Sequence, residues 1–263
     1  MTVPELFQAG KLTDALKAAL DAVKNAPADR LKRFQLAEIL AFSGDLERAD
    51  KHLDAIASPE NQDLLAVLQF RQLLRAEGSR QQVFAEGRSP GFLTTPGEDE
   101  KKRLEALLAL RNRDGAAAAA LIAAADDARP KVPGNCDGTD FDDIRDLDDV
   151  VGPFLEVITA KGTYYWVPFA HVKSVEFHKP ERMRDYLWRK AKLVARDGLD
   201  GDVYVPMTYV NTAKETDDEL RVGRATEWRG NDGEPTRGIG HRQLLVGEEA
   251  KPLLTIGKLT FSP

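Results

Sequence analysis

The chain is poor in the residues that most often carry chemistry. It has one cysteine, Cys136, and four histidines, His52, His171, His178 and His241, in 263 residues. A single cysteine excludes an intrachain disulfide and any thiolate cluster for a metal, and suits a reducing compartment. The histidines lack H-E-x-x-H or any related ligand spacing. His171 and His178 are seven apart, so on one continuous strand they would face opposite sides. No window approaches the roughly 18 uninterrupted apolar residues of a membrane span. The first twenty residues lack the basic start and continuous apolar centre of a signal peptide, which predicts a protein made and used inside the cell. An excess of positive charge is also missing. The net charge of −6 and pI near 5.4 argue against a broad nucleic-acid or anionic-membrane surface.

What is present is the composition of a soluble globular protein, 42% hydrophobic and 30% charged, long enough for two modest domains. From residue 1 to about 130 the helix formers Ala, Leu, Arg, Glu and Gln dominate. Gly10 and Gly44 lie 34 residues apart, as do Leu12 and Leu46, and Ala15 and Ala49. That is the tetratricopeptide period, and it predicts a helix ending at each glycine, a tight turn, and a second helix packed through its small alanine. A weaker third copy runs through Leu110 to Gly115, with Asp114 placed 69 residues after Asp45. Residues 64–85 read as one long helix with Leu65, Leu68, Leu73 and Leu74 on an apolar stripe. Residues 86–98, rich in glycine and proline, read as a loop. The alternative is an ordinary helical bundle with a coincidental glycine pair.

Around Arg129 the composition changes, with Pro130, Pro133 and Gly134 marking a linker. Candidate strands follow at 154–159, 163–167, 172–177, 191–196, 202–209, 224–228, 242–246 and 253–259. Asp197-Gly198, Asp232-Gly233 and Gly238–Gly240 supply the turns, and 181–189 reads as a short helix. Short strands at turn-punctuated intervals predict a small antiparallel sheet or an open barrel. Helices first and strands second predict an α+β chain of two domains, a tetratricopeptide-like helical repeat at 1–130 and a β-rich domain at 131–263.

The search for a reaction site returns little. The run Asp137, Asp140, Asp142, Asp143, Asp146, Asp148 and Asp149 has no register with both the glycine and the bidentate glutamate of an EF-hand loop. It reads as a solvated acidic face or as helix-end caps. No G-x-S-x-G elbow, P-loop or dinucleotide fingerprint is present, so no catalytic, cofactor or metal residue is assigned. In the hairpin around Lys161-Gly162, Tyr164 and Trp166 share one face and Tyr165 takes the other. At least one of those faces must pack the core. Trp188 and Trp228 read as core or interdomain anchors. An enzyme would have to assemble its site in the β-rich domain from scattered residues: Asp142, Asp143, His171, His178, Glu227 and His241.

Several segments occur in an order that is itself specific: Gly44 to Ala49, Phe70 to Glu77 with Arg80 and Val83-Phe84, Pro133-Gly134, Asp137-Gly138, Gly152-Pro153-Phe154-Leu155-Glu156, Tyr164 to Phe169, Arg224 to Trp228, and Gly238 to Arg242. In these the chain resembles the ImpE/TagJ family of type VI secretion accessory proteins along nearly its whole length. The resemblance implies a non-enzymatic cytoplasmic adaptor without a cofactor. Its implied partner is the small subunit of the contractile sheath, near the AAA+ ATPase that recycles contracted sheath, with neither nucleic acid nor membrane involved. A helical repeat groove that captures a partner helix fits that role. Phe34, Gln35 and Glu38, on the helix before Gly44, are the candidate contacts, with Tyr164, Tyr165 and Trp166 as a possible second interface. A scaffold for some other complex is the remaining alternative.

Overall fold

Helices built from strong helix formers make the front half, four of them with side-chain caps. The computed structural model describes residues 1–60, 62–196 and 198–262, and the chain is α+β. Helices α1 (Val3–Gln8), α2 (Leu12–Asn25), α3 (Arg30–Phe42), α4 (Leu46–Asp54), α5 (Leu64–Glu86), α6 (Glu98–Arg111) and α7 (Gly115–Asp126) come first. Thr2 and Glu5 cap α1 reciprocally. Asp29, Asp45 and Asp114 each accept a first-turn N–H of the helix they precede, satisfying donors that would otherwise be unpaired.

The pairs α1–α2, α3–α4 and α6–α7 are joined by one kind of turn. Gly10, Gly44 and Arg113 have φ of +74°, +76° and +62°. The next N–H, of Lys11, Asp45 and Asp114, reaches the carbonyl five residues back at 3.0, 3.0 and 2.9 Å, a Schellman-type closure. Five residues beyond each turn residue, Ala15, Ala49 and Ala118 are fully buried, which lets the paired helices approach closely. The third such turn uses Arg113, an L-residue held in a conformation that glycine adopts at lower cost.

Along α5 the buried row is Val67, Phe70, Leu73, Leu74, Ala76, Arg80 and Val83. The expected stripe needs correction at Leu65 and Leu68. They are 81% and 43% exposed because they fall on the side of the helix away from Phe70.

The strands are β1 (Gly134–Cys136), β2 (Thr139–Phe141), β3 (Ile144–Asp146), β4 (Phe154–Thr159), β5 (Tyr164–Pro168), β6 (Val172–Phe177), β7 (Trp188–Ala195), β8 (Asp200–Pro206), β9 (Thr226–Arg229), β10 (Arg237–Gly240), β11 (Gln243–Val246), β12 (Glu249–Pro252) and β13 (Lys258–Phe261). The main sheet is antiparallel, in the order β2-β1-β13-β6-β7-β8-β4-β5, so β2 and β5 are its edges. Strands β12-β11-β3 make a smaller sheet and β9-β10 a hairpin. The α5–α6 loop covers the β5 edge: Gly91 N donates to Tyr164 O and Trp166 N to Gly91 O, both at 3.0 Å. Only glycine fits there, since a Cβ would lie 2.7 Å from the Tyr165 ring.

Alternation along β4 and β5 divides the interior. Phe154, Ile158, Tyr164 and Trp166 join the helices in one core, with Trp188 of β7; Leu155, Val157 and Val167 join a second core closed by Leu244, Val246 and Leu253. The helical and β-rich halves therefore share a core across the sheet.

Several expected elements differ. Residues 253–259 are not one strand: Leu253–Thr255 form a 3-10 turn that plugs Leu253 into the second core before β13. Residues 181–189 hold a 3-10 turn, Met183–Tyr186, and Trp188 already belongs to β7. Gly238–Gly240 lie in β10 rather than a turn, because a Cβ on Gly238 would strike Tyr209 and one on Gly240 would strike Ala225 O. Strand β8 ends at Pro206. Strands β1–β3 are three-residue pieces hidden in the aspartate-rich segment. Of the expected turns, Asp197 lies outside the described residues, while Gly198 and Gly233 have positive φ.

Candidate functional site

Four of the segments that carry the family resemblance, at Arg80, Gly152–Glu156, Tyr164–Phe169 and Gly238–Arg242, meet in a buried ionic cluster between the halves. Glu156, on the helix-facing side of β4, is fully buried between Arg80 of α5 and Arg242. Arg80 Nε donates to Glu156 Oε1 at 2.7 Å, Arg242 Nη2 donates to Oε2, and the Tyr164 hydroxyl donates to Oε1. Trp166 Nε1 donates to that hydroxyl at 2.6 Å. Arg242 also forms an ion pair with Asp146 at 3.3 Å, without hydrogen-bond geometry. Tyr209 OH and Asp148 N donate to Asp146 Oδ1 at 3.0 and 2.8 Å. Asp148 in turn accepts from Arg237 Nε and from Gly238 N. Burial pushes the Asp146 carboxyl up to about 6 against the pull of Arg242, and brings the Arg242 guanidinium down to about 10. The reading of Asp146 and Asp148 as a solvated face or helix caps is corrected: they are 0% and 2% exposed, and their partners are arginines far along the chain. This cluster is a clamp. It ties α5 to β3, β4 and the β10–β11 turn.

Apart from the clamp, the helical and β-rich parts also border a groove of about 820 Å³, within the size range of ligand clefts. One wall is helical, with Phe7 of α1, Leu31, Phe34, Gln35 and Glu38 of α3, and Val67 of α5. The other comes from the β-rich half through Arg182, Met183, Tyr186 and Val222. The Arg184 guanidinium joins the walls, lying over the rings of Phe34 and Phe70 at 5.5 and 5.1 Å and donating to Ala66 O at 3.3 Å. Glu181 N and Arg182 N both donate to Asp185 Oδ2 at 2.9 Å and set the path of the loop.

The three residues expected to line a partner groove, Phe34, Gln35 and Glu38, all line this one. Arg182, Met183 and Tyr186 were missed, because no local signal shows that the 180–186 loop packs across α1 and α3. Tyr164 and Trp166 are 4% and 0% exposed, which corrects their place in a second interface: the β5 edge is covered and both side chains pack toward the helices. Tyr165 is half-buried against the second core. Trp188 is buried at the junction, its Nε1 donating to Glu77 Oε2 at 3.1 Å. Trp228 is 41% exposed, not a core anchor.

The scattered candidates for an enzyme site do not converge. Asp142 pairs with exposed Lys131, Asp143 with Arg129, and exposed Glu227 with Arg229. His178 is exposed, and His241 is buried, accepting from Leu254 N, with burial and Arg189 bringing it down to about 4. None of them, nor His171, lines the groove. Among the described residues, no group of three or more His, Cys, Asp or Glu is placed to hold a metal ion, and no helix is long and apolar enough to cross a membrane.

Glu38 gives the groove floor a titration. Burial pushes its carboxyl from 4.5 up to about 7, opposed by Arg184 and Arg182 and helped by Asp185. Because the folded value exceeds the unfolded one, its proton stabilises the fold below about 4.5, and that contribution is lost as pH rises toward 7. Glu38→Gln should therefore flatten this part of the stability profile and gain on the parent at pH 8, as read by urea midpoints. A parallel profile for the two proteins would contradict the assignment.

Three comparisons bear on identity. Residues 138–260 match the family described as ImpE protein. The type VI secretion system accessory component TagJ of Pseudomonas aeruginosa is 33% identical over 263 residues, covering 100% of this chain and 92% of the relative. The crystal structure of protein VPA1032 from Vibrio parahaemolyticus superposes with a TM-score of 0.91 at 27% identity, covering 99% of this chain and 97% of the other. With a relative at that identity along its full length, the chain belongs to the ImpE/TagJ family of type VI secretion accessory proteins.

Proposed function

We propose that the protein is a non-enzymatic cytoplasmic adaptor of the type VI secretion system that takes a helix of the small contractile-sheath subunit into the groove around Phe34, Gln35 and Glu38, and so assists sheath recycling by the AAA+ ATPase. The observation that carries this reading is the groove itself. It carries apolar side chains on both walls, among them Leu31 at 67% and Tyr186 at 37% exposed, beside charged groups, a mixture that suits an amphipathic helix anchored at i, i+3, i+4 and i+7. The repeated helix-pair turn at Gly10, Gly44 and Arg113 supports a tetratricopeptide-like origin for the helical wall, residues 1–130, with residues 131–263 as the β-rich part. The groove needs both parts, so partner capture belongs to the whole chain.

The test is calorimetric titration of the full chain with the purified small sheath subunit. Leu31→Asp and Tyr186→Ala are exposed substitutions with little cost to the fold, and each should weaken binding roughly tenfold or more if these side chains are interface anchors. Trp228→Ala, exposed but outside the groove, should bind as the parent does. Unchanged affinity in both groove variants would retire the groove as the docking site. Capture of a different complex by the intact groove would favour the general-scaffold reading.

A further inference from the structure

Of the charged residues that line the groove, Arg30, Glu38, Asp63, Glu181, Arg182 and Arg224, only Glu38 is buried. Glu38 is 4% exposed yet lines the cavity. Among the described residues its one hydrogen bond comes from Arg184 N at a long 3.4 Å, and no ion pair reaches it. The cations nearby are turned to other tasks. Arg184 lies over Phe34 and Phe70, Arg182 lies over Phe34 at 5.9 Å, and Arg224 Nη2 donates to Gln8 O. A largely buried carboxyl with one long hydrogen bond is costly in its charged form, and its place on the cavity wall leaves it open to a donor from a bound molecule. Phe34, Ile56, Val67 and Met183 line the same groove as Glu38. Such apolar walls suit the methylene stem of a long side chain whose charged head reaches the carboxyl.

We propose that Glu38 is the specificity residue of the groove, accepting a hydrogen-bonded ion pair from a lysine or arginine that the bound helix carries among its apolar anchors. The proposal rests on the groove being a helix-docking site. It adds which helix is accepted, one with a basic residue within its apolar face. A fully apolar helix would leave Glu38 buried without its donor, and an acidic one would place two carboxyls together.

The experiment uses the full chain and its Glu38→Gln variant. The probes are the small sheath subunit and a set of amphipathic helical peptides that differ at one apolar-face position, Lys, Arg, Gln or Met. The Lys and Arg peptides should bind the parent protein about 10–100-fold more tightly than the Met peptide, the range expected for one charged hydrogen bond. In Glu38→Gln that preference should vanish, the Lys and Arg peptides binding no more tightly than the Met peptide. Equal affinities across the set, a Gln peptide as tight as Lys, a basic preference that survives Glu38→Gln, or no binding by any peptide would each overturn the proposal. The two readings separate cleanly. A sheath subunit that binds the parent and Glu38→Gln equally sinks the role of Glu38 and leaves the adaptor. A sheath subunit that does not bind, beside peptides that show the Glu38-dependent preference, sinks the sheath assignment and leaves Glu38.

Discussion

Glu156→Gln should destabilise the protein by about 3–5 kcal/mol, the cost of removing one member of a buried charge cluster. The substitution changes almost no volume, so packing does not enter. What changes is that Arg80 and Arg242, 2% and 1% exposed, lose the carboxylate between them, and the Tyr164 hydroxyl loses an ionised acceptor. Neither guanidinium can reach water without opening the junction of α5 with the sheet. Pairing the change with Arg242→Met should recover part of the loss, because an apolar side chain of similar length removes a guanidinium that Glu156 no longer neutralises, although Asp146 then loses its ion pair. Urea unfolding measures both. A loss below about 1 kcal/mol in the single variant would place Glu156 among weakly coupled surface pairs and would dissolve the clamp.

The difference between what the sequence reveals and what the structure adds follows the distance over which each feature is encoded. The turns at Gly10 and Gly44 are local: a glycine that can take the positive φ and a small residue five positions on specify them, and the sequence shows both residues. The third turn uses Arg113 and is seen only through the spacing of Asp114. Phe34, Gln35 and Glu38 could be named because they precede such a turn, whereas the opposite wall depends on how residues 180–186 pack across α3. The aspartate run shows the limit most sharply. In one dimension Asp142 and Asp148 look alike, yet Asp142 pairs with an exposed lysine and Asp148 is buried against Arg237, 89 residues away. Sheet order has the same character, since β13 inserts between β1 and β6 by a pairing that no local signal announces. The family resemblance succeeds where local reading fails. Its segments at Arg80, Glu156, Tyr164 and Arg242 are the pieces of one cluster, separated along the chain and joined in the fold.

Trp166→Ala should cost about 3–5 kcal/mol and should do so to the whole molecule at once. The indole is fully buried, stacked on Phe154 at 4.8 Å and set edge-on to Phe92 at 6.4 Å, with Phe84 of α5 at 6.0 Å. Removing it leaves a cavity bounded by α5, the loop that covers the β5 edge and the sheet, and strips the Tyr164 hydroxyl of its donor. Trp166→Phe keeps most of the packing and loses the indole N–H, so its smaller loss isolates the polar part. Because these contacts join the halves, helix content and the fluorescence of Trp188, buried at the same junction, should fall in one coincident transition shifted to lower denaturant. If the helices and the sheet instead unfolded in separate steps, with only one of them moved by Trp166→Ala, residues 1–130 and 131–263 would be independent units. The groove could not then depend on their junction, and its helical wall alone would have to hold the partner.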